Sequence, residues 1–184
     1  AFSGATLQIA TEVTMPAGVL LFSPSATNPA ISTLSDQDLV WRTALPDPAQ
    51  TAALIGYLPT LDQAIRARYA LSPADPIRVA VVHNGDTYGA TLADALQAKL
   101  SFNGATATAQ LGGNYQRFNY GSPASPSPDS TAAILAFAPH LTFLFGYTES
   151  VEVVLKSLEA QWAEPSHRSF FALGDAGLVP SLWD

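Results

Sequence analysis

From residue 76 onward, short apolar runs alternate with longer amphipathic stretches, and this alternation limits the folds open to the chain. The apolar runs, which are typical of buried strands, are IRVAVVH (77–83), ATATAQL (105–111), LTFLFGY (141–147) and SFFALG (169–174). The stretches with helical spacing are YGATLADALQAKL (88–100), DSTAAILAFA (129–138) and SVEVVLKSLEAQW (150–162). Strands that alternate with helices of this length are joined by right-handed crossovers. The pattern therefore predicts an α/β fold, a doubly wound parallel sheet with helices on both faces in three α/β/α layers.

The N-terminal part of the chain has a less regular pattern. TLQIATEVTM (6–15) has helical spacing, whereas GVLLFS (18–23) and DLVWRTAL (38–45) are interpreted as strands. The stretch 49–70 is helical, and Pro59 inside it predicts two helices or a kink because proline interrupts the hydrogen-bond ladder. Further on, residues 112–129 are rich in Gly, Pro and Ser and predict a long loop, either mobile or part of a binding surface.

The composition excludes several classes of function. Net charge is −7, and the chain has only two lysines, Lys99 and Lys156. Nucleic acid is excluded as a partner because its binding requires clustered Lys and Arg to displace counterions. Nearly half of the residues (48%) are hydrophobic, so the chain forms a packed core, and without Cys it has no disulfide or thiolate site. The longest apolar runs, such as LTFLF, are too short to cross a bilayer.

Hydroxyl, aromatic and glycine residues follow the predicted strands. These strand ends are Ser23–Thr27, Thr43–Asp47, His83–Tyr88, Gly146–Glu149 and Gly174–Asp175. In open parallel sheets the ligand crevice lies beyond the carboxyl ends of the strands. Each of the first four ends lies near the predicted start of a helix. The free N–H groups and the dipole at a helix start favour an anion such as a carboxylate. The sequence therefore predicts a cleft that binds a small polar ligand.

Catalytic and cofactor patterns are weak. His83 and Asp86 lie three residues apart without a third metal ligand nearby in sequence, so Asp86 or Thr87 is interpreted as the cap of the next helix. SPSATNPA (23–30) contains no G-x-S-x-G nucleophile elbow, and LGGNYQ (111–116) opens no helix, unlike a dinucleotide-binding motif. We therefore expect a protein that is not an enzyme and that needs no cofactor and no metal.

Four segments resemble, in their order along the chain, the type I periplasmic solute-binding proteins. They are GVLLFSPSATNPAIS (18–32), LVWRTALPDPAQTAAL (39–54), IRVAVVHNGDTYGATLADALQAKL (77–100) and FAPHLTFLFGYTESVEVVLKSLEAQW (137–162). The similarity is greatest to the branched-chain amino-acid (Leu/Ile/Val) receptors of ABC transporters and covers nearly the whole chain. The signatures S-x-SATNP and D-x-YG, in this order, carry most of the resemblance.

The resemblance implies a two-lobed α/β clamshell that closes on an amino acid or a similar small solute. In that family the SATNP segment holds the α-carboxylate and the ammonium of the ligand with its backbone and its Thr hydroxyl. The matching ligand-binding residues are Ser25, Ala26 and Thr27, Ser3 at the start of the preceding helix, Tyr88, Tyr147 with Thr148 as its competitor, and Asp175 as the acidic partner of the ammonium.

The resemblance also divides the chain. Residues 1–46 correspond to a remnant of the first lobe, with a helix and two strands, and residues 47–184 to the second α/β lobe, with Pro46–Pro48 at the crossover hinge. The opening strands of the family and its final return to the first lobe have no counterpart, so we expect an exposed edge on 1–46 and a homodimer through that edge. The loop 112–129 is longer than the family norm.

For the intact protein, the resemblance implies an extracytoplasmic receptor in the periplasm or outside the cell, held to the membrane by a lipid anchor. This receptor would deliver an amino acid-like small molecule to the membrane subunits of an ABC transporter. The alternative is a ligand-sensing module of the same fold in a signalling or regulatory receptor. A secretion signal with a lipid-anchor Cys would indicate transport, and a DNA-binding or transmembrane segment would indicate sensing.

Overall fold

The computed structural model describes residues 3–182, in which helices and strands alternate along most of the chain. Within these residues the α-helices are α1 (Ser3–Ile9), α2 (Asp47–Tyr69), α3 (Thr87–Lys99), α4 (Pro128–Phe137) and α5 (Lys156–Gln161). The strands are β1 (Leu21–Ser23), β2 (Val40–Arg42), β3 (Val79–His83), β4 (Ser101–Phe102), β5 (Ala105–Thr106), β6 (Tyr115–Asn119), β7 (Gly121–Ser122), β8 (Ser125–Pro126), β9 (Leu141–Phe145) and β10 (Phe170–Leu173). A π-helical stretch, Ala10–Thr14, continues α1, and another, Ser150–Leu155, leads into α5.

The central sheet has four parallel strands in the order β10-β9-β3-β6. In the register Val79 pairs with Tyr115 on one side and with Leu141 on the other. Every residue of β3 and β9 is buried, as expected for inner strands covered on both faces. The predicted doubly wound parallel sheet is therefore confirmed.

Helices cover both faces of this sheet. Alternate residues of β3 enter different apolar clusters because successive strand side chains point to opposite faces. Val79 and Val81 pack in one cluster with Leu92 of α3 and Ile65 of α2. The other cluster contains residues of β3, β9, α4 and α5; they are Ala80, Val82, Leu144, Ile134 and Leu158. The three-layer α/β/α arrangement predicted from the sequence is the observed one.

Two local predictions were wrong. Residues 105–111 were predicted as a strand of the main sheet, but Ala105–Thr106 pairs antiparallel with Ser101–Phe102 and a short 3₁₀ turn follows. The sheet strand at this place is β6, which lies inside the predicted loop 112–129. Its letters YQRFN are mostly polar and its residues after Tyr115 are not fully buried, so no apolar run marks it.

The second difference concerns Pro59, for which the alternative of two helices is wrong. The helix α2 runs from Asp47 to Tyr69 as one element with Pro59 inside it. It ends at Ala70, which adopts a left-handed conformation (φ 52°) and closes the last turn on the carbonyl of Arg66.

The segment before α2 forms a small unit of its own. Its strands β1 and β2 pair in parallel as a separate two-stranded sheet, with Phe22 opposite Trp41. Both side chains are more than half exposed, at 57% and 54%. Other large apolar side chains exposed in this segment are Ile9, Val13, Val19, Leu20 and Leu45. The division of the chain at residue 46 stays a prediction, and the outer ends of the two predicted parts, residues 1–2 and 183–184, lie outside the described residues.

Candidate ligand-binding site

The turn after β3 positions the first elements of the candidate site. Asp86 is the N-cap of α3, and its Oδ1 accepts hydrogen bonds from the backbone N–H groups of Tyr88 (2.9 Å) and Gly89 (3.0 Å). These bonds satisfy N–H groups that have no partner within the helix. The predicted cap is confirmed, and it holds Tyr88 at the carboxyl end of the sheet.

Tyr88 connects α3 to the end of β10. Its hydroxyl donates to Asp175 Oδ1 at 2.7 Å and accepts from the Ala176 backbone N–H at 3.3 Å. Burial, together with the charge and hydrogen bond of Asp175, raises the pKa of Tyr88, so the phenol stays protonated and remains a donor. Gly174 makes this contact possible, because a Cβ at that position would lie 2.6 Å from the Tyr88 hydroxyl oxygen.

Tyr147, which follows β9, lies against Tyr88. The two rings stack with centroids 5.2 Å apart, and the Tyr147 hydroxyl donates to Asp86 Oδ2 at 2.6 Å. Burial, followed by the hydrogen bond to Asp86, raises the pKa of Tyr147. Nearby Glu149 Oε1 accepts from the Tyr147 N–H (3.2 Å) and from the Tyr120 hydroxyl (2.8 Å). Asp86 therefore serves both the helix cap and the aromatic pair.

The segment after β1 is tied to the start of α1. Ser3 Oγ accepts from the backbone N–H groups of Thr27 (3.1 Å) and Asn28 (3.2 Å). The N–H of Ala26 donates to Ser23 Oγ at 3.2 Å. Ser3, Ala26 and Thr27 are all buried. These bonds fix the loop conformation in which the Thr27 side chain points inward.

Asp47 links that loop to the sheet end. Its backbone N–H donates to the Thr27 carbonyl (3.0 Å), and its Oδ2 accepts from Thr91 Oγ1 (2.8 Å). Asp47 is fully buried, and its Oδ1 has no hydrogen-bond partner. Burial raises the pKa of Asp47 and the charge of Asp175 adds to the rise, while the nearby Thr27 hydroxyl opposes it without reaching hydrogen-bond geometry. Asp47 therefore lies close to both Thr27 and Asp175.

Solved structures with this architecture are solute-binding proteins. The matches include a leucine-binding protein, LivK, from Thermotoga maritima (TM-score 0.69, 20% identity) and a periplasmic binding protein type 1 from Bordetella pertussis Tohama I (TM-score 0.66, 18% identity). A third is an ABC transporter substrate-binding protein from Desulfitobacterium hafniense in complex with Leu (TM-score 0.62, 19% identity). The chain has the type I periplasmic binding protein fold. The predicted resemblance is confirmed at the level of the fold.

The chain spans less than half of these type I binding proteins. The alignments cover 95%, 97% and 95% of this chain but 43%, 42% and 45% of the proteins from T. maritima, B. pertussis and D. hafniense, respectively. No family model and no curated protein sequence matches the chain. Among the described residues, no helix has the length and apolar character needed to cross a membrane.

Within this type I fold, the structure brings together three of the predicted site residues, Tyr88, Tyr147 and Asp175. Thr27 joins them through Asp47, and Ser3 and Ala26 shape the loop that carries Thr27. Ser25 and Thr148 are exposed. All the ligand-binding roles stay predictions.

Sequence reasoning missed Asp47 and Glu149 as members of this group. Each follows a predicted strand, at an end already identified as part of the crevice. Neither residue belongs to the signatures that carried the resemblance. Their positions at strand ends were the available signal, because the carboxyl ends of parallel strands meet at one edge of a sheet.

His83, at the carboxyl end of β3, contacts groups of the protein itself. His83 Nδ1 lies 2.6 Å from the Asn84 carbonyl oxygen, and its Nε2 lies 3.4 Å from Arg117 Nη2. Burial lowers the pKa of His83. Among residues 3–182, no group of three or more His, Cys, Asp and Glu side chains is arranged to hold a metal ion. The geometry therefore places the two ring nitrogens of His83 against the backbone and against Arg117.

Proposed function

We propose that this chain is the ligand-binding part of an extracytoplasmic solute receptor that binds an amino acid or a similar small polar molecule. The observation that carries the proposal is the convergence of Tyr88, Tyr147 and Asp175 at the carboxyl ends of β3, β9 and β10. This edge is where open α/β sheets bind ligands. Stacked phenol rings provide a flat apolar wall, and the adjacent carboxylates attract a positive group.

The solved structures of the same fold support a binding role. One of them is named a leucine-binding protein, and another is an ABC transporter substrate-binding protein in complex with Leu. The geometry of the site agrees with binding better than with catalysis. Its Tyr hydroxyls donate to carboxylates, and their raised pKa values make them poor bases and nucleophiles at neutral pH. We therefore propose a receptor and no enzyme activity.

In the intact protein, we place this part outside the cytoplasm and next to an ABC transporter. The solute would be passed to the membrane subunits of the transporter, and a lipid anchor would hold the receptor near them. Receptors of this kind close two lobes over the ligand and exclude water. A chain that offers mainly one wall leaves the ligand solvated, and we expect a Kd near about 1 mM, or about −4 kcal/mol.

The test is a heteronuclear NMR titration, which measures millimolar affinities and maps them onto residues. Leucine, further amino acids and small aliphatic amines are added separately to the labelled chain. Binding at the proposed site shifts the backbone amide signals of Tyr88, Gly89, Asp175 and Ala176. A Tyr57→Phe variant, changed at an exposed position of α2, is the control and keeps these shifts. If no compound of the panel shifts the four signals, the proposal is wrong.

A further inference from the structure

The backbone amides expected to hold a ligand carboxylate are already occupied. The N–H of Ala26 donates to Ser23 Oγ, and those of Thr27 and Asn28 donate to Ser3 Oγ, at distances of 3.1–3.2 Å. A carboxylate needs several donors to replace its hydration. Binding one at this loop would require breaking these bonds in a buried region. The loop is therefore poorly prepared to receive a carboxylate.

In contrast to these occupied amides, two oxygen atoms near the loop have no hydrogen-bond partner among the described residues. Asp47 Oδ1 and Thr27 Oγ1 are buried atoms without a hydrogen-bond partner. The two side chains are 0% and 1% exposed, respectively. A buried polar atom without a partner is costly, and proteins keep few of them. The Thr27 hydroxyl is a donor close to Asp47 that does not reach hydrogen-bond geometry, so Asp47 Oδ1 keeps the capacity to accept from a ligand.

The charges around the two acceptors also favour a cation. Asp47 lies near Asp175, whose charge disfavours a second negative charge there, and Asp86 and Glu149 both accept hydrogen bonds from Tyr147. Arg42 is a cation near Asp47, but its guanidinium donates to the Asn28 carbonyl (2.7 Å) and to Ser32. The sheet end therefore carries four carboxylates and one guanidinium that is already engaged in hydrogen bonds. Its electrostatic potential is negative.

Few donors remain for an anion. Ser3 keeps its own hydroxyl proton after accepting two amide bonds, and Gln50 Nε2 is buried without a partner. Gln50 Oε1 accepts from the Asp175 N–H at 3.3 Å, which places this side chain beside the acidic group. A ligand carboxylate would gain these two donors and the Thr27 hydroxyl, and would meet the repulsion of the surrounding acids.

We propose that this site selects its ligand by an ammonium group and not by a carboxylate, so that small aliphatic amines bind better than the corresponding amino acids. In this arrangement Asp47 and Asp175 approach the ammonium from the α2 side and from the β10 side, and the Thr27 hydroxyl accepts one of its protons. The stacked Tyr88 and Tyr147 rings face the carbon chain. The inference rests on the proposed function, since it names the ligand class of the same site.

Three ligands with one carbon skeleton separate the two charged groups. Leucine carries both, isopentylamine carries only the ammonium, and isocaproate carries only the carboxylate. Each is titrated into the full chain and followed by the amide signals of Thr27, Tyr88 and Asp175. We expect isopentylamine to bind about tenfold more tightly than leucine, and isocaproate to leave the signals unchanged. Leucine binding as tightly as the amine, or isocaproate binding at Thr27, overturns the inference and leaves the proposed receptor function intact. No shift with any of the three overturns both.

A charge-removing variant tests the role of Asp47. Asp47→Asn keeps the size of the side chain and removes the negative charge, so isopentylamine affinity is expected to fall about tenfold. Asp94→Asn removes the same charge from an exposed pair with Arg117 and is expected to leave the affinity unchanged. Equal affinity in both variants removes Asp47 from the site. If Asp47→Asn does not fold, the comparison of three ligands on the unmodified chain still decides the inference.

Discussion

The ring of Tyr88 stacks on the ring of Tyr147 with an interplanar angle of 22°, and each hydroxyl donates to a different carboxylate. The Tyr88 hydroxyl is bound to Asp175 and the Tyr147 hydroxyl to Asp86. The pair therefore joins the end of β10 to the cap of α3, and the backbone N–H of Ala176 adds a bond to the Tyr88 hydroxyl. Each hydroxyl connects segments that are distant in sequence.

Removing one hydroxyl is expected to lower stability modestly. Tyr88→Phe keeps the stacked ring of a buried residue and loses the bond of its hydroxyl to Asp175. We expect the free energy of unfolding to fall by about 1–2 kcal/mol, which corresponds to a decrease in Tm of about 2–6 °C for a chain of this size. Differential scanning calorimetry measures both. Tyr57→Phe, at a residue that is 57% exposed, is the matched control and should change neither. An unchanged Tm in Tyr88→Phe would mean that the hydroxyl bond contributes nothing.

Two glycines are expected to respond in opposite directions to the same substitution. A Cβ at Gly146 would lie 1.9 Å from the Tyr120 hydroxyl oxygen and 2.8 Å from Ser150 Cβ. Gly146→Ala should therefore displace Tyr120 from Glu149 and destabilise the protein by about 1–3 kcal/mol. Gly56 lies inside α2, and a Cβ at this position would have no other atom within 4 Å. Gly56→Ala should stabilise by about 0.5–1 kcal/mol because glycine is a poor helix former. Urea unfolding of both variants checks the signs, and a stabilised Gly146→Ala would contradict the close contact.

Most of the central fold could be predicted from the sequence, because its inner strands are buried on both faces. The apolar letters of β3 and β9 follow directly from that burial. The strand β6 could not be found in this way, since most of its residues are polar and only partly buried, whereas β10 at the other edge is apolar and was predicted. The alternative of two helices in place of α2 was wrong for a different reason. Local propensity is a weak guide to a helix, and tertiary packing overrides it at Pro59.

The site was predictable in its location more than in its chemistry. The strand-end rule placed Tyr88, Tyr147 and Asp175 at one edge, and the structure brings them together. The hydrogen bonds that occupy the Thr27 and Asn28 amides depend on how α1 packs against the loop after β1. Such packing between distant segments has no signature in the local pattern. The proposed preference for an ammonium over a carboxylate was therefore not visible in the sequence.

His140 makes stability depend on pH on the acidic side. Its ring lies 4.7 Å from the Tyr69 ring between centroids, and its Nδ1 accepts from the Arg78 N–H at 2.9 Å. Burial, followed by the charge of Arg78, lowers the pKa of His140 to about 4. Its unfolded-state pKa is about 6.5. The unfolded chain therefore binds this proton first, and the free energy of unfolding should fall as the pH drops from about 6.5 to about 4.

The measurement compares urea unfolding at pH values of about 7 and about 4.5. His140→Gln keeps an acceptor for the Arg78 amide and removes the titrating group, so its loss of stability on acidification should be smaller by about 1–3 kcal/mol. Carboxylates also titrate in this range, but they contribute equally to both proteins and cancel in the difference. His167→Gln, at an exposed histidine, is the control. The same pH dependence in His140→Gln and in the unmodified chain would contradict the prediction.

The exposed apolar face of the β1–β2 sheet should cause self-association. Phe22 and Trp41 lie side by side in the register of this pair and are 57% and 54% exposed. A sheet of two short strands leaves backbone groups and apolar side chains open to another copy of the chain. We expect sedimentation velocity to show dimers or larger species whose share rises with protein concentration.

Phe22→Lys should shift the distribution towards monomer, because a charge on this face opposes its burial. Tyr57→Lys places the same charge on an equally exposed aromatic residue of α2 and should leave the self-association unchanged. A monomer at all concentrations, or equal effects of the two substitutions, would show that this face is not the contact surface.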